Sequence, residues 1–143
     1  MLKVRDCMTN EVISISEDES AASAARIMAR HNVGSLPVRG RGGRLSGIVT
    51  DRDLVLRCVA SGEQAEHTPV CRIMTTRVAV AEPGDTVFLA AEKMAQEQVR
   101  RLPVVENGRL VGMVSLADVS RREDYSMEAA VALTEISRNV KRR

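Results

Sequence analysis

The chain has 143 residues, 44% hydrophobic and 28% charged, with a formal net charge of +2. That length suits one compact domain or two small halves, and the charge is too small to make nucleic acid the main partner. Aromatics are limited to Phe88 and Tyr125, with no Trp, so the stacking that grips single-stranded nucleic acid is missing and a flat base would have to lie between Val and Ile side chains.

The opening Met1-Leu2-Lys3-Val4-Arg5-Asp6 lacks the apolar core of a signal peptide, and no apolar run approaches a membrane span. A short strand is expected around Val12 to Ile15. Ser16 and Glu19 have the spacing of a capping box for the helix that follows. On that helix Ala21, Ala24, Ala25 and Met28 recur at i, i+3, i+4 and i+7. A hairpin comes next: Ser35-Leu36-Pro37-Val38 and Leu45 to Thr50 flank a glycine-rich turn, Arg39 to Gly43. Apolar alternation stops at Thr50, and Leu54, Val55, Leu56, Cys58 and Val59 continue at helix-compatible spacing, so a helix should open at Asp51. The polar stretch Ser61 to Pro69 reads as a linker.

The same order then repeats. At an offset of 66, Val4, Met8, Thr9 and Val12 match Val70, Met74, Thr75 and Val78, and Ala24, Ala25 and Met28 match Ala90, Ala91 and Met94. Val33, Leu36, Pro37 and Val38 match Val99, Leu102, Pro103 and Val104. One residue is lost in the hairpin turn, so Gly47 and Asp53 match Gly112 and Asp118 at an offset of 65. The second copy therefore predicts a strand at Val78 to Val80 and a helix opened by Pro83 and carrying Val87, Ala90, Ala91 and Met94. Its hairpin, Leu102 to Val105 and Leu110 to Ser115, turns at Glu106-Asn107-Gly108, and its last helix starts at Leu116. Pro37 and Pro103 cannot donate to a ladder and belong at an edge or a bulge. After the second copy, Asp124 or Ser126 can cap a terminal helix with an apolar stripe of Ala129, Leu133, Ile136 and Val140, which needs a covering surface.

The expected fold is α+β with an α/β-type repeat: two βαββα units of about 50 residues each, too small to bury a core alone, plus a C-terminal helix. The organisation is 1–62 for the first unit, 63–69 for the linker, 70–122 for the second, and 123–143 for the terminal helix with its basic tail, Lys141-Arg142-Arg143.

Each copy ends with a hydroxyl residue at a strand-to-helix junction and an Asp three residues on: Thr50 with Asp53, and Ser115 with Asp118. Two readings stand. The pattern is itself a capping box. It also puts a carboxylate, suited to a diol, beside a helix end suited to an anion. Cys7, Cys58 and Cys71 are an odd number without CxxC spacing, and His31 and His67 are isolated, so a zinc site is not expected and the free thiols suit the cytoplasm. Cys7 and Cys71 read as buried apolar cysteines.

The Met8-Thr9 and Met74-Thr75 starts, the two Leu-Pro-Val strands and the two Gly-x-x-[Thr/Ser]-x-x-Asp junctions together resemble a tandem pair of cystathionine-β-synthase (CBS) domains, a Bateman module, over roughly Val4 to Arg122. The layout is also similar to stand-alone two-CBS proteins of the hypoxic-response type. The resemblance implies two units related by a pseudo-twofold axis, a homodimer, and two clefts that take AMP, ADP, ATP, S-adenosylmethionine or sometimes NAD. It implies a first cleft of Thr50 and Asp53 with Thr75, Val78, Ala79, Val99 and Arg100. The second would hold Ser115 and Asp118 with Thr9, Val12, Ile13, Val33 and Gly34. The carboxylates would take ribose hydroxyls, and Val and Ile the base; by position alone those apolar residues read equally as core. Arg52, Arg100 and Arg101 would make the first cleft the phosphate-binding one, their counterparts being Ala117, Gly34 and Ser35. Against this, Arg52 could simply pair with Asp51, and Arg100 and Arg101 could form a solvated edge.

No nucleophile–base set, metal set or phosphate-gripping GxxxxGK[ST] loop argues for an enzyme or a resident cofactor. Two functions are left: a regulatory sensor of an adenosine-containing ligand, or a module that binds no nucleotide and works through its dimer surface and terminal helix. Either would act through an effector protein that no residue names, without a membrane.

Overall fold

A computed structural model describes residues 2–121 and 126–140, the side chains at 126–128 and 139–140 excepted. Asp124, the side chains of Ser126 and Val140, and Lys141 to Arg143 lie outside the described residues. The elements are β1 (Ile15–Ser16), α1 (Ala21–His31), β2 (Ser35–Arg39), β3 (Leu45–Thr50), α2 (Asp51–Asp53, running on as a π-type helix over Leu54–Val59) and α3 (Val70–Ile73). Then follow α4 (Val87–Glu97), β4 (Arg101–Glu106), β5 (Arg109–Ser115), α5 (Leu116–Ser120) and α6 (Ser126–Val140). They form two compact units: an inner one, Ile13–Val78, and an outer one, Met1–Val12 with Ala79–Arg143.

In the inner unit β1 runs parallel to β2, and β2 pairs antiparallel with β3, giving sheet order β1-β2-β3. Pro37 explains why β1 is only two residues long. It has no N–H to offer β1, so the parallel ladder starts one residue later, with Ile15 opposite Val38. A bulge follows at once between Val38 and Arg39. The core holds Ile15, Ala21, Ala24, Met28, Leu36, Val38, Val49, Cys58, Val70 and Ile73.

The outer unit repeats the hairpin as β4 and β5. Its turn has Asn107 and Gly108 at φ of 54° and 80°, the left-handed pair that a two-residue hairpin turn requires. The strand expected at Val78 to Val80 is reduced to a single parallel bridge, Ala81 to Val104. Ala81 N–H donates to the Pro103 carbonyl and the Ala81 carbonyl accepts from Val105, but Pro103 has no N–H to extend the ladder backwards.

Each unit draws its leading segment from the other repeat copy. Val4 is fully buried in the outer core, its N–H donates to the Asp85 carbonyl, and Thr9 exchanges backbone bonds with Met113 on β5. In the inner unit Val70 donates to the Glu19 carbonyl, and Thr75 exchanges backbone bonds with Ile48 on β3. The polar stretch before Val70 packs here too: Thr68 is buried and its carbonyl accepts from Ala21.

Three local expectations are corrected. Ser20, not Ser16 with Glu19, caps α1: its Oγ accepts from Ser23 N–H, while Ser16 and Glu19 close a backbone turn. Thr86, not Pro83, opens α4, its hydroxyl accepting from Leu89 N–H; the Pro83 carbonyl instead receives Arg5 N–H. Ala25 is exposed although its match, Ala91, is buried. The difference is α6, which packs on α4 and α5 in the outer unit through Ala129, Ala132 and Ile136. Its own unit therefore covers the terminal stripe, and Leu133, expected within it, is 40% exposed beside Ala132 at 3%. Cys58 is the buried cysteine; Cys7 is half-buried and Cys71 exposed.

Candidate functional site

In the inner unit the chain passes from β3 into α2 at Thr50, whose extended φ and ψ of −115° and 163° make it an N-cap. Thr50 Oγ1 accepts from Asp53 N–H at 3.0 Å, and Asp53 Oδ2 accepts from Thr50 N–H at 3.0 Å. The capping reading is therefore correct as structure: two helix-end donors are satisfied reciprocally. It leaves much of the carboxylate unused, since an ionised carboxylate has about four lone-pair sites.

What surrounds the rest of Asp53 goes beyond a cap. The residue is only 6% exposed. Thr75 Oγ1 donates to both carboxylate oxygens at 3.3 Å, and Arg57 Nε lies 3.7 Å from Oδ1. Burying a charge without partners is costly, and these groups supply the partners. Both bonds from Thr75 are long, so a stronger donor can replace them. Arg57 was missed in the sequence. The available signal was its place one turn beyond Asp53, where i,i+4 side chains meet. Its guanidinium also donates to the carbonyls of Ile73 and Met74, at 3.3 and 3.1 Å, pinning the Met-Thr segment to the helix.

Glycine keeps that segment close. A Cβ on Gly47 would stand 2.5 Å from the Thr75 carbonyl oxygen and 3.0 Å from Met74 Sδ. The Met-Thr start and the glycine of the junction are thus two sides of one contact, which places Thr75 against Asp53.

The outer unit repeats the device more openly. Ser115 caps α5, accepting from Asp118 N–H at 3.1 Å, and Asp118 Oδ2 accepts from Ser115 N–H at 2.9 Å. Asp118 Oδ1 pairs with Arg121 at 3.2 Å, and its side chain is 14% exposed. A Cβ on Gly112 would lie 2.8 Å from Met8 Sδ and 3.0 Å from the Thr9 carbonyl.

The remaining site residues divide by unit. Thr50, Arg52, Asp53, Thr75 and Val78 are in the inner unit, with Ile13, Val33 and Gly34; Ser115, Asp118, Thr9 and Val12 are in the outer one, with Ala79, Val99 and Arg100. Gly34 receives Asp51 N–H on its carbonyl at 2.9 Å, and Arg100 receives Leu116 N–H in the same way at 2.8 Å. Arg100 and Arg101 line a cavity of about 550 Å³ beside Ser115, Leu116 and the α6 residue Leu133. Arg52 is exposed; its own N–H, not its guanidinium, bonds the Asp51 carboxylate. Among the described residues no three His, Cys, Asp or Glu side chains come together to hold a metal, and no helix is long and apolar enough to cross a membrane.

The model of the CBS domain matches residues 4–59 and 70–125. The CBS domain-containing protein YhcV of Bacillus subtilis is 40% identical over 137 residues, 96% of each chain. Hypoxic response protein 1 of Mycobacterium tuberculosis is 33% identical over 121 residues, 85% of each. A crystal structure of Hypoxic Response Protein I with two coordinated zinc ions superposes at a TM-score of 0.77, with 33% identity over 85% of this chain and 98% of that one. The CBS domain pair of protein MJ0100, in complex with 5′-methylthioadenosine and S-adenosyl-L-methionine, superposes at 0.72, with 30% identity over 87% and 97%. The chain belongs to the CBS domain family.

Proposed function

From membership in the CBS family, we propose that this chain is a regulatory module that binds an adenosine-containing ligand, AMP, ADP, ATP or S-adenosylmethionine, at its Thr/Ser-x-x-Asp junctions, and performs no chemistry of its own. The observation that carries the reading is the Asp53 carboxylate. It is buried, fixed by its own helix cap, and among the described residues bonded otherwise only by a long, shared hydroxyl contact and a distant guanidinium. A ribose diol offers two O–H donors in place of Thr75. Hydrogen bonds to a charged acceptor are worth about 1.5–3 kcal/mol, and a diol offers two such donors where Thr75 shares one hydroxyl at 3.3 Å. Arg52 stands at the Thr50 junction, while Arg100 and Arg101, expected with it, line a cavity beside Ser115, so each junction has a cation suited to phosphate. The crystallised complexes of MJ0100 support the ligand class.

The bound module would signal through a change of shape read by an effector protein. Pairing into a homodimer would cover Val55, Leu56 and Val59, which are 48–70% exposed on one helix. Ligand and free thiols both suit the cytoplasm.

A second reading has its own observation: without a ligand Asp53 already has its cap, the Thr75 hydroxyl and the Arg57 guanidinium as partners. The module would then bind no nucleotide and work through its dimer surface and α6. Isothermal titration of AMP, ATP, S-adenosylmethionine and NAD into the wild type and Asp53→Ala separates the two. Heat that the variant loses supports the sensor. No heat from any of the four, with a folded protein, supports the interaction module.

A further inference from the structure

We propose that the inner unit carries a separate binding hollow, beside α1, for a sugar phosphate. The hollow has a volume of about 340 Å³ and includes none of Thr50, Asp53 and Thr75. Arg26 and Arg30, one turn apart on α1, and Arg39, ending β2, line it together. Their commitments differ. Arg26 pairs with Glu66. Arg39 Nε donates to Ser14 Oγ at 2.6 Å, and among the described residues its two outer nitrogens have no partner and can form a fork. Arg30 has no hydrogen bond or ion pair among the described residues.

The repeat supplies an internal control. At the matching positions of the outer unit, Arg26 becomes Glu92, Arg30 becomes Gln96 and Arg39 becomes Val105. Ser14 and Ser23, which also line the hollow, become Val80 and Leu89. The helix, the hairpin and the junction helix form in both units, so none of them needs these residues. Arg26 is balanced by Glu66, and Glu19 is the one carboxylate in the lining, so Arg30 and Arg39 carry the charge that a bound anion would meet.

The lining selects the ligand. Guanidinium forks match phosphate oxygens. The Ser14 and Ser23 hydroxyls, with the carboxylate of Glu19, suit a ligand rich in hydroxyls. Ile15 is buried and no aromatic lines the hollow, so the half-buried Ile27 offers the one apolar face, too little to sandwich a base. Its volume, in the range of small-molecule sites of roughly 300–1,000 Å³, exceeds what a lone phosphate ion fills.

The test is isothermal titration of the full chain at low salt with glucose 6-phosphate, ribose 5-phosphate, glucose and inorganic phosphate, in the wild type, Arg30→Gln and Asp53→Ala. At least one sugar phosphate should bind at least tenfold more tightly than glucose or inorganic phosphate. Arg30→Gln, a change at an exposed residue with the fold checked by circular dichroism, should weaken it at least tenfold, and Asp53→Ala should not change it. Silence from both sugar phosphates, equal binding of inorganic phosphate, indifference to Arg30→Gln, or loss in Asp53→Ala would each overturn the proposal.

Discussion

Replacing Gly47 with Ala tests how the inner junction is held. The added Cβ would sit 2.5 Å from the Thr75 carbonyl oxygen, well inside the 3.4 Å at which ordinary contact begins. That oxygen is backbone and cannot swing aside. It accepts from Ile48 N–H at 2.9 Å, while Thr75 N–H donates to the Ile48 carbonyl at 2.7 Å. Moving it stretches both bonds, each worth about 1 kcal/mol net, and overpacking of this kind costs about 1–3 kcal/mol. We expect a loss of about 2–3 kcal/mol, or roughly 10 °C in Tm for a chain of this size. Gly112→Ala should cost less, because its nearest neighbour is the flexible Met8 Sδ at 2.8 Å and the Thr9 carbonyl is farther off, at 3.0 Å. Gly84→Ala, with nothing within 4 Å, should be neutral or slightly stabilising. Urea unfolding followed by circular dichroism ranks the three. A Gly47→Ala protein within about 0.5 kcal/mol of wild type, inside the range of unremarkable surface changes, would refute the argument that glycine is there to admit the Met-Thr segment.

Ser20→Ala should cost about 1 kcal/mol by removing the cap of α1, and Ser16→Ala much less; denaturant midpoints distinguish them. Ile136→Ala should destabilise by about 2–3 kcal/mol, at the low end for buried aliphatics, and Leu133→Ala by clearly less, because only Ile136 is buried. Equal losses would mean that α6 does not dock through its Ala129–Ala132–Ile136 face. Arg52→Glu should weaken nucleotide binding by tenfold or more in titration calorimetry while leaving the unfolding midpoint nearly unchanged, since its guanidinium is exposed.

The repeat made most of the fold legible. Pairing Val4 with Val70 and Asp53 with Asp118 located both hairpins and both junction helices, because a doubled pattern in register is hard to mimic by chance. The strands around Ile15 and Val78 came out short because a ladder depends on its partner, and the partner's prolines withhold a donor. Helix starts were misplaced because several hydroxyl residues precede each helix and only the backbone path selects Ser20 and Thr86. The exposure of Ala25 was invisible in its own segment; it depends on whether another helix covers that face. At the site, Thr50, Asp53 and Thr75 could be named from their motifs, and the structure brings them together. Arg57 could not, because its value lies in bonds to the Ile73 and Met74 carbonyls, contacts that sequence spacing does not reveal.

The most direct test of the ligand-sensor reading is a crystal structure grown with 5′-methylthioadenosine, a probe that carries the ribose diol and adenine without phosphate. The account predicts the ribose hydroxyls within hydrogen-bond distance of the Asp53 or Asp118 carboxylate, and Thr75 withdrawn from Asp53 if the inner junction is filled. A structure in which both carboxylates keep only their protein partners, with the probe elsewhere or absent at saturating concentration, would contradict it.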